Sequence, residues 1–148
     1  MDKFIVIPDS FKGTLSSQTV CDIMAEKIRF HYPNSDIYAI PVADGGEGSV
    51  NCFLTALGGR EINVTVNGPY LKPCDGFYGI LFDGKTAVIE MSATAGLPMV
   101  EACKNPALTS TYGVGELIMH AVSKGVKKII LGLGGSCTND FGCGSACA

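Results

Sequence analysis

Pro41-Val-Ala-Asp-Gly-Gly-Glu-Gly-Ser49 sets two carboxylates, Asp44 and Glu47, among three glycines. It lies between a strand-like segment, Asp36 to Ile40, and a helical pattern carried by Val50, Phe53, Leu54 and Leu57. Glycines allow positive φ and close approach to a ligand, and the N-terminus of a following helix offers N–H groups to an anion. One reading is therefore a site for a phosphate-bearing or hydroxylated small molecule, with the two acids handling a proton or a metal. The other is a tight βα turn in which Glu47 complements the helix dipole.

Working outward, Phe4-Ile-Val-Ile7 is a short continuous apolar run, the pattern of a strand buried on both faces, and Pro8 ends it. Asp9-Ser-Phe-Lys-Gly13 is a polar loop in the same relative place as the opening stretch. Ser16 or Ser17 caps a helix with Val20, Ile23, Met24 and Ile28 on one face, and Pro33 stops it. Gly58-Gly59 closes the second helix. Two βα units in tandem predict an α/β fold with a parallel sheet, whose ligands sit beyond the carboxyl ends of the strands.

Further along, Ile62, Val64 and Val66 alternate as a half-exposed strand before Asn67-Gly-Pro69. Gly76–Phe82 and Lys85–Met91 flank Asp83-Gly84, a hairpin signal. Gly68 to Pro73 is the expected boundary between a first α/β unit, 1–68, and a second, 69–148. Gly79-Ile-Leu-Phe-Asp-Gly-Lys-Thr86 matches the phosphate-loop pattern GxxxxGK[ST]. Its variable positions are too apolar for a phosphate cradle, and a strand rather than a helix follows, so the hairpin is preferred. Glu90 is either a third functional carboxylate or the charged end of a strand. Thr109-Ser-Thr-Tyr-Gly-Val-Gly115 leads into a helix with Leu117, Ile118, Ala121 and Val122 on one side, its hydroxyls sufficing as caps. Ile129-Ile-Leu131 is another buried strand. It opens into Gly132-Leu-Gly-Gly-Ser-Cys-Thr-Asn-Asp-Phe-Gly-Cys-Gly144, a near miss to the dinucleotide fingerprint. A domain ending at Ala148 would leave that loop without a covering helix, so the chain is expected to be part of something longer.

The 148 residues suit one ordinary domain or the first part of a larger protein. A formal charge of −3, with scattered Lys and Arg, gives no footprint for nucleic acid or an anionic membrane. No apolar run reaches spanning length and no signal peptide is present, so a cytoplasmic protein is expected. Seven cysteines without a CxxC pair predict reduced structural thiols. Cys137, Cys143 and Cys147 lack a fourth metal ligand.

Pro8-Asp-Ser-Phe-Lys-Gly13, Pro41-Val-Ala-Asp-Gly-Gly-Glu-Gly48, Ile89-Glu-Met-Ser-Ala-Thr-Ala-Gly96, Thr111-Tyr-Gly-Val-Gly-Glu-Leu-Ile118 and Gly134-Gly-Ser-Cys-Thr-Asn-Asp140 resemble, in this order, the successive motifs of the bacterial glycerate kinase family (type I). Members transfer phosphate from ATP to D-glycerate and are well over twice this length, so the chain resembles their N-terminal portion. The resemblance implies a Rossmann-like unit followed by the start of a flavodoxin-like α/β domain, with the substrate cleft between two domains. It also implies ATP, Mg²⁺ and D-glycerate as cofactors and partners.

On this resemblance Asp44 accepts the proton of the glycerate hydroxyl or orients it, and Lys12 offsets the substrate carboxylate or a phosphate. Asp140 with Glu47 serves Mg²⁺. Ser136 and the Gly134-Gly135 amides meet phosphate oxygens, and Asp9, Ser10, Gly45, Gly46 and Asn139 complete the binding residues. The isolated chain is expected to be weakly active or inactive. The rival readings are a nucleotide- or dinucleotide-binding module without kinase chemistry, and a non-catalytic remnant. Where the family usually shows Ser-Ala-Thr-Asn-Asp-Gly-Gly, this chain has Cys137 and Phe141. Phenylalanine in a glycine turn raises the question of whether the backbone there needs positive φ.

Overall fold

The computed structural model describes residues 2–148. It is a mixed α/β structure that divides into two compact units, Met1–Asp44 and Gly45–Ala148.

In the first unit β1 (Lys3–Val6) and β2 (Asp36–Ala39) pair in parallel, Lys3 opposite Asp36 and Val6 opposite Ala39. Between them runs α1 (Ser17–His31), begun by Ser16, whose hydroxyl accepts the Thr19 N–H at 3.1 Å. The parallel pairing follows the expectation, but the burial does not. Val6 is buried, whereas Ile5 and Ile7 are 69% and 56% exposed. A continuous apolar run implies cover on both faces, and in this unit one helix packs against two strands. The inward face of α1 is also rotated from the expected one. Ser17, Val20, Cys21 and Ala25 are buried, while Ile23 and Met24 are exposed. Residues 17, 21 and 25 lie one turn apart in a stripe of small side chains that lets the helix approach the strands closely.

The second unit starts with α2 (Ser49–Leu57), followed by β3 (Gly59–Asn67), β4 (Pro73–Leu81) and β5 (Thr86–Glu90). Then come a one-turn helix α3 (Ser92–Ala95), a 3-10 turn (Leu97–Val100), α4 (Tyr112–Ser123), β6 (Lys128–Gly132) and a short α5 (Cys143–Cys147). The sheet order is β3-β4-β5-β6, antiparallel except for the parallel β5–β6 pair.

The Asp83-Gly84 hairpin is present as expected, and it disposes of the phosphate-loop match. Asp83 accepts the Lys85 and Thr86 N–H groups, both at 2.8 Å, and the Thr86 hydroxyl at 2.7 Å. The amides of the pattern's Lys and Thr are thus taken up by Asp83, and its Thr86 opens a strand where a phosphate loop needs a helix. A second hairpin joins β3 to β4 in register from Gly59–Leu81 to Asn67–Pro73. The stretch expected as a boundary, Gly68 to Pro73, supplies the connection of this hairpin, and by compactness the chain divides after Asp44. Asn67-Gly-Pro69 is a turn signal, and a turn between two alternating strands closes a hairpin as readily as it separates domains.

Successive residues of β4 and β5 face opposite sides of the sheet. On one side Tyr78, Ile80, Ala87 and Ile89 pack with Val114, Leu117 and Ala121 of α4. On the other, Leu81 and Val88 pack with Val50 of α2. Tyr78 is fully buried, and its phenol shares a hydrogen bond with His120 Nδ1 at 3.0 Å. Helices on both faces leave the ends of β5 and β6 as the place where polar loops gather.

Candidate functional site

In the second unit three loops are stitched together at those strand ends. Beyond β5 the chain runs Met91 to Leu97, and beyond β6 it runs Leu133 to Asn139. The Met91 N–H donates to the Gly132 carbonyl at 2.8 Å, Leu97 to Gly135 at 2.9 Å, and Cys137 to Ala95 at 2.9 Å. Gly96 and Ser136 form an isolated β-bridge. The third loop is the start of α2, where the Gly45 carbonyl accepts the Gly134 N–H at 2.9 Å. A Cβ on Gly132 would lie 2.4 Å from the Gly45 oxygen, and one on Gly134 would lie 2.8 Å from the Gly46 nitrogen. Only glycine permits this backbone-to-backbone contact. Gly45 and Gly46 are therefore brought against Gly132 and Gly134. Because the Gly134 amide is spent on Gly45, that residue pins the two loops and does not offer its N–H to phosphate.

Glu47 is exposed at this turn. Behind it Glu90, only 2% exposed, accepts the Val50 N–H at 3.0 Å, the Gly48 N–H at 3.3 Å and the Ser92 hydroxyl at 3.3 Å. Burial pushes its carboxyl up from the ordinary range; the three hydrogen bonds oppose that rise, and the charge of Glu47 adds to it. Thus the amides at the start of α2, expected to face a bound anion, face a carboxylate of the chain itself. The sequence carried one sign of this, an acid closing the otherwise apolar run Ala87-Val-Ile89.

Asp140 is engaged differently from expectation. One oxygen accepts the Thr111 N–H at 2.8 Å, the Thr111 hydroxyl at 2.9 Å, the Gly144 N–H at 3.1 Å and the Ser110 hydroxyl at 3.4 Å. The other accepts the Gly142 N–H at 3.2 Å. Desolvation acts to raise its carboxyl, but the bonds from Thr111, Gly142 and Gly144 outweigh it and hold the group below the usual range. Four donors crowd one oxygen of this carboxylate, while the other accepts from Gly142 alone. Thr111 completes the hub by accepting the Ser145 N–H at 2.9 Å. Among the described residues no group of three or more His, Cys, Asp or Glu side chains is placed to hold a metal ion. Asp140 locks its own loop to the start of α4, and the Mg²⁺ role expected of it with Glu47 rests on the family resemblance alone. The cysteines of this loop are free thiols, Cys137 buried and Cys143 and Cys147 exposed.

Ser136 shares a 2.7 Å hydrogen bond with the Thr138 hydroxyl and accepts its N–H at 3.1 Å. Gly135 and Asn139 are exposed beside it. In the first unit, Asp9, Ser10 and Lys12 lie on the loop between β1 and α1. Asp9 accepts the N–H of Ser10 at 2.7 Å, and both Asp9 and Lys12 are exposed. Asp44 is exposed at the last position of that unit.

Comparison with known proteins agrees along nearly the full chain. Residues 4–148 match the model of the glycerate kinase family. A glycerate kinase of Bacillus subtilis (strain 168) is 45% identical over 96% of this chain and 37% of its own length. A glycerate 2-kinase of Escherichia coli (strain K12) is 43% identical over 96% of this chain and 38% of its own. A solved structure described as glycerate kinase 2 from Salmonella typhimurium LT2 superposes with a TM-score of 0.80 at 42% identity, over 97% of this chain and 39% of that one. The chain thus spans less than two-fifths of the relatives it matches, and it belongs to the glycerate kinase family.

Proposed function

We propose that the protein carrying this chain phosphorylates a hydroxyl of D-glycerate with ATP, and that these residues supply one wall of its active site. The observation that carries the reading is the convergence of Gly45-Gly46 with Gly132 to Gly135 beside exposed Glu47. The residues around it are mostly glycines and small polar or acidic side chains, in a family whose named relatives are glycerate kinases. Phosphoryl transfer asks a protein mainly to position reactants and to stabilise charge on the transferring oxygens. Close-packed glycine loops with exposed Gly135 and Asn139 and half-buried Ser136 at their rim suit that task.

In this reading Asp44 accepts the proton of the attacking hydroxyl or orients it, and Lys12 offsets the glycerate carboxylate or a phosphate. Asp9 and Ser10 line the same loop as Lys12. Ser136 and the Gly135 amide contact phosphate oxygens. A coupled assay with D-glycerate and ATP on the full-length protein tests the reading: turnover supports it, and turnover absent with glycerate but present with another alcohol replaces the substrate. Calorimetry with NAD(H) against ATP addresses dinucleotide binding, for which the geometry offers no support: the helix after the glycine loop begins only at Cys143, beyond the Gly132-to-Cys137 stretch that would have to open it.

A further inference from the structure

Glu90 has no role in the chemistry just described, yet it is the most deeply placed carboxylate of the second unit, and the whole acidic turn hangs on it. Helix α2 begins at Gly48, which has φ +90° and no side chain with which to cap the helix. The first-turn amides of such a helix need acceptors. Glu90, forty-two residues further along, supplies them: Oε1 takes Gly48 N–H and Oε2 takes Val50 N–H. Ser92 donates to Oε1 and so fixes the carboxylate from its own strand end. The adjoining Ser49 hydroxyl donates to the Gly46 carbonyl at 2.7 Å, and Gly46 abuts Gly134. One buried carboxylate is thus bonded to amides on either side of Ser49, in the turn that carries Glu47, and that turn in turn presses on the glycine loop after β6.

We propose that Glu90 is a positioning residue of the active site, a remote cap that sets the backbone of Gly45 to Ser49 and thereby the place of Glu47 and the fit of the two glycine loops. A carboxylate can accept from both amides at once. A glutamine of the same shape can accept with one arm only and sets an N–H₂ against the other amide. Glu90→Gln therefore loosens the turn without emptying the site that Glu90 fills.

The experiment has two parts, and only the kinetic part rests on the proposed phosphoryl transfer. In the full-length protein, amide hydrogen exchange at Gly48 and Val50 is expected to accelerate at least tenfold in E90Q while Val88 and Ile130 keep their protection. In the full-length protein, kcat is expected to fall about tenfold or more with the KM values for ATP and glycerate within about threefold, the pattern of a lost transition-state arrangement. A residue that served stability alone would lower the melting temperature and leave kcat per folded molecule unchanged, which overturns the proposal. Unchanged exchange at Gly48 and Val50 overturns it as well. Should E90Q fail to fold, Ser92→Ala removes one anchor of the carboxylate and carries the same test at smaller amplitude. An inactive wild-type protein overturns the proposed function, and exchange then decides by itself whether Glu90 holds the turn.

Discussion

Phe141 answers at the scale of one residue a question the sequence could only pose. Its φ is +54°, and its side chain is 97% exposed. The turn does require the left-handed region, and phenylalanine adopts it without burying anything in return. Left-handed backbone costs a non-glycine residue about 1–2 kcal/mol. Phe141→Gly should accordingly raise stability by about 1 kcal/mol in denaturant melts, after allowance for the greater freedom of glycine in the unfolded chain. Asp140, its neighbour, shows the limit of reading acids from sequence. Its position in a glycine-rich loop at a strand end suggested a metal ligand; what its carboxylate does depends on Ser110 and Thr111, about thirty residues away in sequence. Because its folded carboxyl lies below its unfolded value of about 3.9, its contribution is present above that pH and is lost as pH falls through the folded value. Asp140→Asn should cost about 2 kcal/mol at pH 7, and the difference from wild type should shrink in melts carried out below about pH 4. Asp44→Asn should lower turnover of the full-length protein about 10²-fold if Asp44 serves as the base; a loss under tenfold removes that role.

Among elements, those with strong local signals were legible. The Ser16 cap, the Gly58 stop of α2, the Asp83-Gly84 hairpin and the parallel β1–β2 pair all follow from residues within one turn or one strand of the feature. The elements misjudged were those whose environment comes from afar. Two stripes fit the periodicity of α1, and the one holding Cys21 and Ala25 faces in because small residues fit against the strands. The β3–β4 hairpin was obscured because Gly68 to Pro73 carries the composition of a linker as well as of a turn. The glycine loop after β6 was visible as a motif, but its contact with Gly45 and Gly46 was not, since nothing local pairs residues nearly ninety positions apart. That contact makes a prediction of its own. Gly132→Ala would set a methyl 2.4 Å from the Gly45 oxygen, and forcing the loops apart should cost about 1–3 kcal/mol. The melting temperature would fall, and full-length activity should fall with it.

For the molecule as a whole, the family and the α/β class were legible because five separated motifs occur in order, each with glycines or small polar residues, four of them beyond strand ends and one at the start of α4. What the sequence left open is how much of the site this chain holds. The described residues build one close-packed wall in the second unit, and Lys12 and Asp44 belong to the first. In the relatives that match, the corresponding stretch is 37–38% of the protein. The isolated chain should therefore turn over D-glycerate at under about 1% of the full-length rate, by the magnitude expected when catalytic groups are missing from a positioned set. The most direct test of the central claim is a coupled assay of the full-length protein with D-glycerate and ATP, wild type beside Asp44→Asn. Saturable phosphorylation of D-glycerate that collapses in the variant is the expected result. A folded full-length protein that binds ATP and leaves D-glycerate untouched would contradict it.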